Sequence, residues 1–374
     1  MRVAVVMGGR SSEHEISIAS GQSVAAGLRA NGHEVVEVEI DREGVWRAGG
    51  DEVAVRPARG LLDCDVVFPV LHGPFGEDGT VQGLLECLDV PYTGSDVAAS
   101  ALCMDKVRFK DAMAHAGLPQ VAYVGVNQAT RADDVAGIAA LGFPCWVKPA
   151  RLGSSVGIVR VETPAGIEPA LDAAFAHDPR AIVEAGATGR EIECSILGPT
   201  DAPEASLPGE ILLGGGEDAW YDYEAKYTPG GMELVVPARI SAAAIERVQA
   251  LARRAFALAG CSGFASVDFF VDGEEVTLNE LNTIPGFTET SVFGKLWDAS
   301  GVPYAEVLER LARVDFFVEG ADVLVNELNT IPGFTSTSVF GKLFEASGVP
   351  YAELLERLVG FALERHERER SYEH

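Results

Sequence analysis

Three residues that carry oxygen donors, Asp268, Glu280 and Asn282, have the spacing of a metal-binding hairpin. Glu280 and Asn282 are two positions apart on a predicted strand and therefore share one face, while Asp268 belongs to the preceding strand, across a turn at Asp272-Gly273. Carboxylate and amide oxygens suit Mg²⁺, which completes its shell with water and substrate phosphates. The pattern indicates either a magnesium site or a solvated acidic hairpin.

The same three residues recur as Asp315, Glu327 and Asn329 because the chain contains a tandem duplication. Residues 265–311 and 312–358 align without gaps, and 37 of their 47 residue pairs are identical. A solenoid normally needs at least three repeats, so a repeat architecture is a poor explanation. The chain is better described as a protein of about 327 residues with an extra copy of one segment.

Two further motifs have residue types that bind anions or substrates. Lys148 leaves a predicted strand just before a Gly-Ser loop, residues 151–157, where a cation, amides and hydroxyls can surround phosphates. The P-loop pattern GxxxxGK[ST] is absent, and an ordinary Gly-Ser turn is the alternative.

In residues 72–83, glycines and two acids lie between a strand and a helix, which is too constrained for a passive linker. A lone histidine such as His72 is more often structural than catalytic.

The sequence shows alternating signals for strands and helices, and these predicted elements would position the motifs. Strands are predicted at residues 3–6, 33–40, 65–70, 121–126, 144–149, 181–184 and 191–197, and helices at 16–30, 80–88, 104–115 and 241–259. The first strand, helix and strand predict a βαβ unit of an open sheet, where ligand groups commonly gather at the strand ends.

Composition narrows the class of protein. The 374 residues include 29 Lys plus Arg and 56 Asp plus Glu, a formal charge of −27 that disfavours a nucleic-acid partner. The 47% hydrophobic content is that of a globular protein with two or three domains. No apolar run approaches the roughly 20 residues of a membrane helix. Six scattered cysteines without a CxxC pair predict buried thiols in a reducing compartment, so we expect a cytoplasmic protein.

Taken in order, the motifs resemble those of the D-alanine–D-alanine ligase family of the ATP-grasp superfamily. The resemblance covers nearly the whole chain and rests on the sequence at residues 7–9, 12–17, 72–83, 104–106, 147–149, 153–157, 221–227, 279–283 and 285–286. It implies a mixed α/β, three-domain ATP-grasp architecture with an N-terminal βαβ open-sheet domain. The implied domains are residues 1–96 for substrate, 97–185 for the central ATP-grasp subdomain and 186–374 for the C-terminal one, which contains both repeats.

The resemblance implies ATP as cofactor, together with two Mg²⁺ or Mn²⁺ ions. Lys106 and Lys148 would contact the phosphates, and Ser154 and Ser155 would lie on a loop that closes over them. Lys226, within the loop of residues 214–231, would reach the γ-phosphate. Glu184, Ala185 and Ala187 would meet the adenine, and Glu191 the ribose.

The resemblance also implies residues for the two amino-acid substrates. Glu13 would hold the ammonium group of the first D-alanine, and His72 would lie near its carboxylate. Tyr227 and Ser154 would form a polar link to Glu13. Ser291 and Val292 would address the second D-alanine. The implied catalytic set comprises Glu13, Ser154, Lys226, Tyr227, Ser291 and Arg313.

The implied function is ligation of two D-alanines through an acyl phosphate, for peptidoglycan precursor synthesis. Its partners would be small molecules, with no nucleic acid or membrane, and the protein would be a homodimer. One alternative is an inactive or nucleotide-binding homologue whose site the duplication has spoiled. Another is an ATP-grasp ligase with a different amine acceptor.

The two copies differ at a position important for the implied chemistry. The family has an arginine two residues before the metal-binding aspartate, where the first copy has Ser266 and the second has Arg313. The presence of Arg313 favours the second copy as the one that forms the active site, because loss of an oxyanion donor lowers the rate by about 10²–10³. The chain connection favours the first copy, because helix 241–259 leads into the first strand of that copy through a segment that contains Gly260 and Gly263. We expect the first copy in the sheet, with Asp315, Glu327 and Asn329 as metal ligands only if the second copy is used.

Overall fold

The computed structural model describes residues 1–153, 156–213, 232–288 and 291–312. The predicted loop at residues 214–231 lies outside the described residues, as does the second copy beyond Ala312. All the described residues belong to one unit of the chain.

The N-terminal part is a five-stranded sheet. Its strands are β1 (Arg2–Gly8), β2 (Glu34–Ile40), β3 (Trp46–Ala48), β4 (Asp51–Glu52) and β5 (Val66–Pro69), in the order β4-β3-β2-β1-β5. β1 is parallel to both β2 and β5, and α1 (His14–Ala30) connects β1 to β2. The predicted βαβ beginning is therefore confirmed.

Three short helices follow this sheet: α2 (Thr80–Leu88), α3 (Val97–Met104) and α4 (Lys106–His115). The helix predicted around residues 104–115 is confirmed as α4, whereas α3 before it was not predicted, and the chain breaks between the two helices at Asp105. The Asp105 carboxylate accepts a hydrogen bond from the Arg108 amide at 3.2 Å, which caps α4 and begins a new helix there.

Two antiparallel sheets form the rest of the described chain. The first contains β6 (Tyr123–Asn127), β7 (Cys145–Pro149), β8 (Val159–Val161) and β9 (Arg180–Ala185), in the order β6-β9-β7-β8, with helices α5 (Val135–Leu141) and α6 (Ile167–Phe175). The second contains β10 (Arg190–Gly198), β11 (Glu204–Ala205), β12 (Gly209–Leu213), β13 (Met232–Val235), β14 (Gly263–Asp272) and β15 (Glu275–Asn282), with helices α7 (Ala242–Leu258), α8 (Val292–Ala299) and α9 (Tyr304–Ala312).

The second antiparallel sheet has the order β13-β12-β10-β14-β15, and β11 pairs with β10 at one side. The first copy of the duplication supplies β14 from Ala265 onward, β15, α8 and α9 up to Leu311. Each of the three sheets falls within one of the three predicted domain ranges, while the domain boundaries themselves stay a prediction.

The chain approaches the first copy through glycines whose conformation the fold requires. Gly260 ends α7 with φ +72°, and Gly263 begins β14 with φ +77°. A side chain at Gly263 would place its Cβ 3.0 Å from the Gly94 backbone nitrogen. At the duplication's offset, the residue that corresponds to Gly263 before the second copy is Arg310. Only the first copy is therefore preceded by the glycine that this close approach needs.

An aromatic cluster joins the N-terminal sheet to the first copy. Phe68 of β5, Phe264 of β14, Phe287 and Phe293 are each at most 1% exposed. The Phe264 ring lies 5.2 Å from the Phe287 ring and 6.0 Å from the Phe68 ring, between centroids. Because these residues come from distant parts of the sequence, the cluster fixes the start of the first copy against the N-terminal sheet.

Within the described ranges, no helix has the length and apolar character needed to cross a membrane.

All six cysteines are free thiols. Cys103, Cys145, Cys194 and Cys261 are buried, as the scattered spacing predicts, whereas Cys87 is exposed.

Replacing Phe264 with alanine is expected to lower the free energy of unfolding by about 3–5 kcal/mol, because it removes a fully buried ring from the cluster. Urea denaturation measures the change. Leu258→Ala is the control, since this side chain at the end of α7 is 47% exposed, and its loss should stay within about 0.5 kcal/mol. Equal losses in the two variants would contradict the role given to the cluster.

Candidate active site

A cavity of about 380 Å³ opens where the three sheets approach one another. Every candidate residue that the structure describes lines it. These are Glu13, His72, Lys106, Lys148, Glu184, Ala185, Ala187, Glu191, Asp268, Glu280, Asn282, Ser291 and Val292. The remaining candidates, Ser154, Ser155, Lys226, Tyr227, Arg313, Asp315, Glu327 and Asn329, lie outside the described residues.

A β-bulge turns the acidic residues of β15 toward the cavity. Asp268 pairs with Glu280, but the next residue of β14, Phe269, pairs with Leu278, so Asn279 is an extra residue in β15. Before the bulge the even-numbered residue Leu278 is fully buried in the core, whereas after it Glu280 lines the cavity. If β15 alternated regularly through Asn279, with no bulge, Glu280 would share a face with Leu278 and point into the core.

The register brings the three predicted metal ligands together. Asp268 lies directly opposite Glu280, and the Asn282 amide donates a hydrogen bond to the Asp268 carboxylate at 3.3 Å. Among the described residues, no three His, Cys, Asp or Glu side chains are grouped as a metal site. The donor set here consists of two carboxylates and one amide, which are hard oxygen donors that fit Mg²⁺ or Mn²⁺.

Ser266 lines the cavity beside these ligands. It is 4% exposed and lies opposite Asn282 in the register. The described site therefore presents a hydroxyl at the position where the second copy has Arg313.

Two lysines line the cavity from different elements. Lys106, the first residue of α4, donates a hydrogen bond to the Leu152 carbonyl at 2.8 Å, and its Nζ lies 3.8 Å from Glu280 Oε2. Lys148 of β7 forms an ion pair with Glu184 of β9, with 2.6 Å between Nζ and Oε2. Lys106 lies within ion-pair distance of the acidic strand and Lys148 lines the same cavity, so an anion bound beside them would meet positive charge.

Burial and neighbouring charges shift the pKa values of Lys148 and Glu184 in opposite directions. Burial alone would lower the pKa of Lys148, but the Glu184 and Glu280 carboxylates outweigh it and hold that pKa above its usual value. Burial alone would raise the pKa of Glu184, but Lys110 and Lys148 outweigh it and hold that pKa well below its usual range. Both groups are therefore charged at neutral pH.

Glu13 lies at the junction of two glycine-containing loops. Its side chain is buried just before α1, and a Cβ added at Gly73 or Gly153 would lie 2.7 or 2.8 Å from its Oε2 atom. Only residues without a side chain can approach the carboxylate this closely. The glycines in the 72–83 motif and the Gly-Ser loop thus make room for Glu13.

His72 has structural partners on both ring nitrogens. Nδ1 lies 3.1 Å from the Ile284 carbonyl, and Nε2 lies 3.4 Å from the Ser20 hydroxyl. A neutral ring that donates from Nδ1 and accepts at Nε2 satisfies both contacts. Burial lowers the pKa of His72, which favours this neutral form. Its contact with a substrate carboxylate stays a prediction.

The sequence did not assign roles to Glu77, which is partly buried and lines the cavity, or to Lys110, which is buried behind it. Glu77 accepts hydrogen bonds from the Gly73 amide at 2.7 Å and the Ile284 amide at 3.4 Å, which links two cavity loops. Burial, together with the charge of Glu13, raises the pKa of Glu77 to about 8. Lys110 follows Lys106 by one helical turn, and this spacing was the available signal that both face the same side.

Replacing Glu77 with glutamine is expected to change how stability depends on pH. Because the folded-state pKa is about 8 and the ordinary value is 4.5, the stabilisation from the protonated carboxyl is complete below pH 4.5 and is lost as pH rises through 8. The wild-type free energy of unfolding should therefore fall relative to Glu77→Gln between pH 5 and 8, by up to about 1.4 kcal/mol per pH unit.

Urea denaturation at four pH values across this range measures the difference. The control is Glu246→Gln, at an exposed position of α7, which should show no such trend. A constant difference between wild type and Glu77→Gln would contradict the raised pKa.

Comparison with known proteins identifies similar chains over nearly their whole length. A family model described as D-ala D-ala ligase N-terminus matches residues 2–60 and 51–95, and one described as D-ala D-ala ligase C-terminus matches residues 112–311 and again 307–360. The second match of the C-terminal model falls on the second copy. A D-alanine--D-alanine ligase of Halothermothrix orenii is 41% identical, over 83% of this chain and 97% of its own. That of Solibacter usitatus is 44% identical, over 83% of this chain and 94% of its own.

Solved structures show the same similarity. The VanG D-Ala:D-Ser ligase of Enterococcus faecalis has a TM-score of 0.76 and 34% identity, covering 83% of this chain and 98% of that one. The D-alanine-D-alanine ligase of Coxiella burnetii has a TM-score of 0.75 and 34% identity, covering 83% of this chain and 92% of that one. Nearly the whole of each relative thus has a counterpart here, and this chain contains additional residues.

Proposed function

Because the chain belongs to the D-alanine–D-alanine ligase family, we propose that it uses ATP to ligate two D-alanines to D-alanyl-D-alanine for cell-wall peptidoglycan synthesis. The observation that carries this proposal is that the described candidates for nucleotide, metal and amino-acid binding all line the same cavity. The match to relatives named for this activity, over 94–97% of their length, supports it further.

The reaction has two steps. The carboxylate of the first D-alanine attacks the γ-phosphorus of ATP, so that ADP leaves and an acyl phosphate forms. The amine of the second D-alanine then attacks the acyl carbon, loses a proton and displaces inorganic phosphate. Both steps concentrate negative charge on phosphate oxygens, which positioned cations stabilise.

Lys106 and Lys148 are the proposed cations for the ATP phosphates, with Lys226 and the Ser154-Ser155 loop completing the set. The proposed adenine contacts are Glu184, Ala185 and Ala187, and Glu191 accepts hydrogen bonds from the ribose hydroxyls. A carboxylate is well suited to that last role because it accepts hydroxyl hydrogen bonds strongly. Asp268, Glu280 and Asn282 would hold Mg²⁺ or Mn²⁺, which would offset the charge of the phosphates.

The amino-acid substrates are proposed to bind at the N-terminal side of the cavity. Glu13 pairs with the ammonium group of the first D-alanine, near His72, and Tyr227 and Ser154 connect to it. Ser291 and Val292 contact the second D-alanine. The narrow space around Glu13, between Gly73 and Gly153, favours a small amino acid. We further propose a homodimer in the cytoplasm, on the resemblance to the family.

A second candidate function, nucleotide binding without ligation, is favoured by Ser266. A hydroxyl at this position supplies no cationic donor to a developing oxyanion, and a missing donor commonly lowers the rate by about 10²–10³. A different acceptor is the other candidate, since one similar structure is a D-Ala:D-Ser ligase.

Phosphate release in the presence of ATP, Mg²⁺ and D-alanine tests the proposal. The expected result is release that requires D-alanine, with D-alanyl-D-alanine as the product detected by mass spectrometry. Parallel reactions with D-serine or D-lactate as the second substrate identify the acceptor. ATP binding without phosphate release that depends on D-alanine would overturn the ligase function and leave the nucleotide-binding candidate.

Paired substitutions determine which copy provides the metal ligands. Asp268→Asn is expected to lower kcat by at least about 10²-fold, because it weakens electrostatic stabilisation of the transferring phosphoryl group. Asp315→Asn, the same change in the second copy, should leave kcat unchanged and is the matched control. Loss of activity in Asp315→Asn alone would instead assign the site to the second copy.

A further inference from the structure

Lys110 is a buried cation directly behind the cavity wall. Its side chain is 2% exposed, and its Nζ lies 2.8 Å from Glu184 Oε1 and 5.7 Å from the centroid of the Tyr123 ring. Glu184 lines the cavity, whereas Lys110 is not among the lining residues. Lys110 lies behind Glu184 and not on the cavity wall, so its effect on a ligand would act through Glu184.

Glu184 is shared between two lysines, one on each carboxylate oxygen. Lys110 of α4 contacts Oε1 from behind, and Lys148 of β7 contacts Oε2 from the cavity side, at 2.6 Å. The Glu184 side chain is 5% exposed, so water contributes little to its charge balance. The three groups together carry one net positive charge.

Nucleotide binding changes the charge balance around Glu184, if Lys148 contacts the ATP phosphates as proposed above. When the Lys148 Nζ atom contacts a phosphate, its interaction with Glu184 weakens, because one ammonium group then serves two anions. If Lys148 were the sole partner, its departure would leave a buried carboxylate without a counter-ion, which is strongly unfavourable. Lys110 keeps that carboxylate paired, and it stays in place because it lies outside the cavity.

We propose that Lys110 is a positioning residue for nucleotide binding, which keeps Glu184 paired while Lys148 moves from Glu184 to the phosphates of ATP. The proposal rests on the nucleotide-binding part of the function proposed above. It assigns three lysines to two tasks, with Lys106 and Lys148 for the phosphates and Lys110 for the carboxylate that would otherwise retain Lys148.

Calorimetry with ATP and with adenosine separates this role from a merely structural one. In Lys110→Met, the Kd for Mg²⁺-ATP is expected to rise at least about tenfold, because Lys148 is held by Glu184. The Kd for adenosine, which has no phosphates, should change less than about threefold. In steady-state kinetics the KM for ATP should rise more than kcat falls, and Lys110→Arg should restore the wild-type values.

Two controls accompany the measurement. Arg108→Met removes a cation from the same helix at a side chain that is 69% exposed, and neither Kd should change. In a Glu184→Gln background the neutral amide needs no counter-ion, so adding Lys110→Met should change the ratio of the two Kd values less than about threefold. This double variant removes both buried charges together, so it remains informative if Lys110→Met alone does not fold.

Equal weakening of ATP and adenosine binding in Lys110→Met would overturn the proposal. So would a further tenfold loss of ATP affinity on adding Lys110→Met to Glu184→Gln. Failure of the ligase function is a separate outcome, because it appears in the wild-type protein as ATP binding without phosphate release that depends on D-alanine.

Discussion

The candidate site depends on the β-bulge at Asn279. A strand with strict alternation would bury Glu280 and Asn282 on the same face as Leu278, where two polar groups would displace apolar packing. One extra residue moves them to the face of Asp268 and leaves Leu278 in the core. The same hairpin thus packs against helices on one side and presents oxygen donors on the other. The cavity, the approach of Lys106 and the proposed metal site all follow from this shift of one residue.

Because the hairpin sequence occurs twice, the residues that precede each copy indicate which copy joins the sheet. The two copies are identical at 37 of 47 positions and contain the same three candidate metal ligands, so these ligands do not distinguish the copy that joins the sheet. The residues just before each copy do differ. Gly263 and Phe264 have Arg310 and Leu311 as their counterparts, and the structure uses Gly263 for a close approach to Gly94 and Phe264 for the aromatic cluster. Position in the fold is therefore specified by the flanking sequence.

Local patterns in the sequence predicted about half of the described elements, including α2 at Thr80–Leu88 and the hairpin turn after Asp272. These features depend on neighbouring residues. The break at Asp105 was missed because an aspartate inside an apolar helical pattern is ordinary until its carboxylate caps a second helix. The roles of Glu77 and Lys110 were missed because each depends on a distant partner, Glu13 in one case and Glu184 in the other. The assignment of each lining residue to a ligand group still rests on family resemblance.

Every described residue that lines the cavity precedes Gly294 in the chain. The extra copy begins at Ala312, downstream of all of them. The additional 47 residues therefore lengthen the chain without altering any spacing among the described lining residues. A substitution in the upstream copy, such as the serine at position 266, changes the cavity wall itself, whereas substitutions in the downstream copy leave each described wall residue as it was. The differences between the copies therefore have unequal consequences for the cavity.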